Sequence, residues 1–336
     1  MRTRKFALAT ALAALLIGAC ACSPKSEDTE GKAAKISYGY DVQEEIFQTE
    51  VINIGLEKLG YRVETGIQLP PPSMHIAVAN GDVDYTTNHW YPQQNSFFEN
   101  AGGDEKLSRE GVLVDNCLQG YVIDKKTADK YKITNLSDLK KPEIAKLFDT
   151  DGDGKANLIG CNAGWSCELV IEHHLEAYGL QDTVEQERGT YFALMGDTIA
   201  RFQEGKPILY FSWTPLWLNA VLKNGSDVVW LGVSFTSLPA DHVKEAREAV
   251  VDGKNLGFSI NQQRILASNQ FLDANPAVRR FFEQVEIPIA DVSAQNLRMY
   301  DGEDTPEDIR RHAEEWVANH QELFDRWVAE AKKAGQ

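Results

Sequence analysis

Three tryptophans stand at positions where this chain could do chemistry: Trp90 in DYTTNHWYP, Trp165 in GCNAGWSCE and Trp213 in LYFSWTP. The face of an indole attracts a cation. A quaternary ammonium has no N–H to donate, so aromatic faces can hold it without a carboxylate partner. Trp165 lies between Cys161 and Cys167 at the expected start of a helix. The first amides of a helix have no intrahelical acceptor and take an anion readily. Here those amides belong to Ser166 and Cys167. A loop that offers an aromatic face beside free amides suits a small zwitterion. Each tryptophan alone is explained by ordinary packing, whereas three at equivalent turns argue for an aromatic box.

The elements that must position these residues read as α/β. Ile36 to Tyr40 is a strand, and Asp41 with Glu44 has the spacing of a helix cap ahead of the periodic run Ile46 to Leu59. A strand–helix–strand series follows and ends in Asp84 to Asn88, which runs into W-x-P. A second series, with Ala156 to Gly160 and Ile208 to Ser212 as strands, ends in another W-x-P. Such series predict largely parallel sheets. Two lobes are therefore expected, one from 36–120 plus 256–336 and the other from 121–255. Gly257 to Asn261 is the expected return strand. Ligands bind beyond the carboxyl ends of parallel strands, so both W-x-P turns should face a shared cleft. Trp316, Phe324 and Trp327 repeat at helical spacing and read as core.

The 336 residues suffice for two cores, and the formal net charge of −16 excludes a basic nucleic-acid footprint. Residues 1–19 have a basic start (Arg2, Arg4, Lys5) and an apolar run too short for a membrane span, the pattern of a signal peptide. Small residues before Cys20 suggest lipidation of that cysteine, although cleavage after Ala21 also fits. Residues 20–35 read as a flexible tether. An exported protein can hold disulfides. Cys161 and Cys167 are the favoured pair, with two buried free thiols as the alternative. Cys117 reads as a small buried hydrophobe.

Asp149, Asp151 and Asp153 match the first half of a calcium loop, but the bidentate acid due at position 12 is replaced by Gly160. A solvated turn is the preferred reading, and no metal is expected. The sequence contains no G-x-S-x-G, H-E-x-x-H, Walker or G-x-G-x-x-G motif. His173 and His174 belong to no catalytic constellation. A binding protein without cofactor is expected, not an enzyme.

Several long segments make the chain resemble the substrate-binding proteins of ProU-type glycine betaine/proline betaine ABC transporters. They include EKLGY (57–61), QGYVIDKKTADKYKITN (119–135), IAKLFDTDGDGKANLIGCNAGWSCE (144–168) and DTIARFQEGKPILYFSWTP (197–215). The resemblance implies a two-lobed type II periplasmic-binding-protein fold with the ligand in the inter-lobe cleft. It implies a monomer that delivers a quaternary ammonium osmoprotectant to an inner-membrane permease with its cytoplasmic ATPase. It puts the cation box on Trp90, Trp165 and Trp213, the carboxylate amides on Ser166 and Cys167, and a disulfide on Cys161–Cys167. Two positions depart from the family. Ser166 replaces a common glycine, which keeps the amide. Gln94 replaces a histidine that helps hold the carboxylate, so charge assistance is lost while a donor remains. Two alternatives stay open: a receptor for choline or another quaternary amine, and an extracytoplasmic thiol-redox enzyme using Cys161 and Cys167.

Overall fold

The computed structural model describes residues 34–336. The signal peptide (1–19), Cys20 and the tether up to residue 33 lie outside the described residues. Two five-stranded sheets organise the chain. In one, the strand order is Ile67–Gln68, Tyr38–Tyr40, Tyr85–Tyr91, Asn261–Ser268, Leu107–Cys117. In the other it is Val228–Trp230, Gln119–Asp124, Leu209–Trp213, Ala156–Ile159, Val184–Glu187. Helices pack around both sheets, as a fold of two α/β lobes requires.

The sheets are mixed, not largely parallel, and the chain path explains why. Strands built by strand–helix–strand steps pair parallel, as Tyr38–Tyr40 does with Tyr85–Tyr91 and Ala156–Ile159 does with Val184–Glu187. Strands that arrive from the other sheet run the opposite way. Gln119–Asp124 pairs antiparallel with Leu209–Trp213, and Asn261–Ser268 pairs antiparallel with both Tyr85–Tyr91 and Leu107–Cys117. The apolar stretch from Gly111 to Asp124 is thus two strands, broken at Leu118 where the chain leaves one sheet for the other. Asn116 sits at φ 58°, a conformation asparagine tolerates better than most residues. The return strand is Asn261–Ser268; the preceding Lys254–Ser259 forms a separate ribbon with Glu248–Val251.

Side chains cap four of the helix starts among the described residues. Thr305 caps the helix Pro306–Asn319 by accepting from the Asp308 amide at 3.1 Å, with proline in the first turn. The helical stripe holding Trp316 and Trp327 belongs to two helices, Pro306–Asn319 and Gln321–Ala334, and both tryptophans are buried. The expected cap at Asp41 is absent. A short 3₁₀ turn, Gln43–Glu45, precedes the helix Ile46–Lys58, and no side chain caps either. The Glu44 and Glu45 carboxyls accept instead from the Trp217 and Trp90 indoles, at 3.3 and 2.8 Å. Among the described residues, no helix is long and apolar enough to cross a membrane.

Candidate functional site

The carboxyl ends of the strands bring the three tryptophans together. Trp90 is the penultimate residue of Tyr85–Tyr91, and Trp213 is the last of Leu209–Trp213. Both strands therefore extend further than the sequence suggests and carry the indoles themselves. Each is followed by a cis X–Pro bond, Tyr91–Pro92 and Thr214–Pro215. Trp165 follows the Ala156–Ile159 strand and occupies the cap position of the helix Ser166–Ala177. All three line one cavity at the strand ends.

Trp165 and Trp213 meet edge to face, with ring centroids 5.6 Å apart and planes at 78°. Tyr191 and Phe211 back the Trp213 ring at centroid distances of 4.7 and 5.8 Å. This packing fixes two walls at nearly a right angle. Trp90 comes from the other sheet and makes no ring–ring contact with either among the described residues. Its indole N–H donates to Glu45 Oε1 at 2.8 Å. Trp90 and Trp213 are buried, whereas Trp165 is half-buried at the mouth.

The loop before the helix is held from several sides. The Cys161–Cys167 disulfide closes it, with Cα atoms 6.4 Å apart. Gly164 sits at φ +87°, accessible to glycine without a Cβ clash. Its amide donates to Glu168 Oε2 at 2.7 Å, and Arg188 Nε holds the other Glu168 oxygen at 3.1 Å. Asn162 Oδ1 accepts from the Tyr191 amide at 2.7 Å. The first bond of the turn runs from the Glu168 amide to the Trp165 carbonyl. The Ser166 and Cys167 amides precede it and have no intrahelical acceptor, and both residues line the cavity. They supply two oriented donors at the positive end of a twelve-residue helix.

Gln94 reaches the same cavity and is buried. Its Oε1 accepts from the Trp90 amide at 3.1 Å, which anchors the side chain. Its NH₂ group is thereby left as a neutral donor.

Sequence reasoning missed the acids. Asp41 and Glu45 line the cavity, and among the described residues no lysine, arginine or histidine does. Burial holds the Asp41 carboxyl up at about 6, opposed by a hydrogen bond with Trp165. Glu45 is pushed well above the usual carboxylate range by burial, against the Trp90 hydrogen bond and with repulsion from Asp41 and Glu44. Glu44 is also raised by burial and accepts from the Trp217 indole at 3.3 Å. The signal was present in D-x-x-E-E immediately after the first strand, a carboxyl-end position, but it reads equally well as a helix cap.

The remaining candidates lie elsewhere. Asp149, Asp151 and Asp153 bring carboxylate oxygens within 4.8 Å of one another on an exposed loop. Backbone amides of Gly152 and Gly154 donate to Asp149 at 2.6 and 3.0 Å and hold its carboxyl below the usual range, as in a turn that caps itself. His174 is buried between the Tyr121 hydroxyl and the Ser237 carbonyl, at 2.7 Å from each. Cys117 is a buried free thiol.

Residues 36–319 match the family described as the substrate binding domain of ABC-type glycine betaine transport systems. The chain is 47% identical over 293 residues to the glycine betaine/proline betaine-binding periplasmic protein of Escherichia coli, covering 87% of this chain and 88% of the relative. It is 45% identical over 312 residues to the glycine betaine-binding periplasmic protein OusX of Dickeya dadantii, covering 93% and 94%. The crystal structure of the glycine betaine/L-proline-binding protein ProX from Borrelia burgdorferi shares the fold, with a TM-score of 0.68, 20% identity and coverage of 90% and 100%. The two-lobed architecture, the cavity at the strand ends and the extent of these matches converge: the chain belongs to the family of substrate-binding domains of ABC-type glycine betaine transport systems.

Proposed function

We propose that this protein is the extracytoplasmic receptor of an ABC importer and captures glycine betaine or proline betaine in the tryptophan cavity. The observation that carries the reading is the pairing of three indoles with two acceptor-free helix amides in one space. The indoles take the quaternary ammonium, each contributing about 0.5–2 kcal/mol when desolvated. The Ser166 and Cys167 amides and the Gln94 amide take the carboxylate. One lobe would be 36–120 with 256–336 and the other 121–255. Closure of one on the other would bury the ligand and present the closed form, as a monomer, to a permease with its cytoplasmic ATPase. Export through the 1–19 leader and anchoring through a lipid on Cys20 complete the reading.

Catalysis has no part in this role. The thiol-redox alternative loses support because Cys161 and Cys167 are both buried and bonded to each other. A choline receptor is favoured by one observation, the two carboxylates and absent basic groups along the cavity. Calorimetric titration of the mature protein separates these readings. Saturable one-to-one heat with glycine betaine and proline betaine, weakened about tenfold or more by Trp165→Ala, is expected. Silence for both betaines with a signal for choline would replace the proposed ligand.

A further inference from the structure

The three acids beside the cavity have no basic partner. Among the described residues, no lysine or arginine forms an ion pair or a side-chain hydrogen bond with Asp41, Glu44 or Glu45. Glu45 is the most enclosed, with 8% of its surface exposed. Its Oε1 accepts from the Trp90 indole at 2.8 Å and from Gln263 Nε2 at 3.3 Å. Its Oε2 is buried with no hydrogen-bond partner among the described residues. A buried carboxylate oxygen without a partner is costly and invites a positive charge. The cavity it lines is walled by aromatic faces that favour the same charge.

We propose that Glu45 is a specificity-determining residue: one oxygen sets the orientation of the Trp90 ring, and the other serves as counter-charge to the cationic end of the bound ligand. This rests on the reading of the cavity as a quaternary ammonium site. Aromatic faces alone tolerate a neutral group of the same shape, because it packs equally well against them. A carboxylate with no other partner adds discrimination that depends on charge. The groups facing Glu45 are Asp41 and Glu44 on its own turn, Gln48 on the following helix, Trp90, Gln263 and Cys117 on three strands, and Trp165 across the cleft beyond Asp41. None supplies a cation. Burial and the two neighbouring acids favour the protonated form of Glu45 in the empty cavity. Arrival of a fixed positive charge favours the ionised form, so Glu45 gives its proton to the buffer when the ligand binds.

The test uses glycine betaine and its neutral-centred isostere 3,3-dimethylbutanoate, in which carbon replaces nitrogen. Affinities are measured by calorimetry for the mature wild-type protein and for Glu45→Gln, which retains an acceptor for the indole. The ratio of the two affinities is expected to fall at least fivefold in the variant. If Trp90 placement were the only role, both ligands would weaken together, and an unchanged ratio overturns the proposal. A second measurement needs no variant. Betaine binding near pH 7, in buffers of different ionisation enthalpy, is expected to release a fraction of a proton. Asp41→Asn should keep that release; its loss in Asp41→Asn would assign the proton to Asp41 and overturn the assignment to Glu45. Absence of any heat with betaine in the wild type would instead refute the function on which the proposal stands.

Discussion

A single amide can be removed from this site without removing the helix that carries it. Ser166 is the first helical residue, and the preceding Trp165 has φ −76° and ψ 148°, the extended conformation proline requires of its predecessor. Proline is favoured at this position and lacks the N–H. Ser166→Pro should therefore delete one carboxylate donor and leave the fold intact. A hydrogen bond to a charged group is worth about 1.5–3 kcal/mol, so betaine affinity should fall roughly ten- to a hundredfold. Choline, which has no carboxylate, should bind the variant as it binds the parent; equal losses for both ligands would mean that the loop had moved.

Asp41 offers a second residue-scale test, through pH. Its folded pKa of about 6 lies above that of an unfolded aspartate. The folded state thus holds the proton more tightly, and ionisation of Asp41 costs stability as pH rises from about 4 through 6. Asp41→Asn should be more stable than the parent above pH 6, with the advantage gone near pH 4. Buried His75, His89 and His174, whose pKa values are lowered by burial, act in the opposite sense below pH 6.5. They do so in both proteins and cancel in the difference between two urea titrations, which reports Asp41 together with the part of the Glu45 shift that Asp41 causes. A constant difference across pH would remove the buried charge from the account.

At the scale of the element, the loop Cys161–Cys167 is the part that needs a cross-link. It has few backbone bonds of its own and must hold an indole at the mouth of the cavity. Closing a loop this short contributes about 2 kcal/mol by the chain-entropy estimate. Cys161→Ser with Cys167→Ser should lower the unfolding free energy by about that amount and weaken betaine binding, with the helix Ser166–Ala177 still present by circular dichroism. Unchanged affinity would make the disulfide a stabiliser only. This element was also the most legible in the sequence, because a strand, a W between two cysteines and a periodic helix each carry a local signal. The turn after the first strand was the opposite case. D-x-x-E-E there satisfies the spacing of a cap, yet in the fold Asp41, Glu44 and Glu45 meet Trp165, Trp217 and Trp90. Contacts between segments 45 to 173 residues apart leave no local pattern.

At the scale of the molecule, the alternation of strands and helices predicted two α/β lobes, and two five-stranded sheets are present beside two small ribbons. Strand direction was less legible, because it depends on the two crossings between sheets. Residues distant in sequence also meet outside the cavity. Trp217 donates to Glu44 and stacks on Tyr300 at 4.4 Å, and the Tyr91 hydroxyl donates to Glu245. In the proposed division into 36–120 with 256–336 and 121–255, these contacts run between the two lobes. The central claim is that one zwitterion is gripped at its cationic end by indoles and at its anionic end by a helix. A crystal structure of the mature protein with glycine betaine tests this most directly. Methyl groups are expected against Trp90, Trp165 and Trp213, and carboxylate oxygens within hydrogen-bond distance of the Ser166 and Cys167 amides. A ligand bound away from these indoles, or turned with its carboxylate toward Glu45, would contradict it.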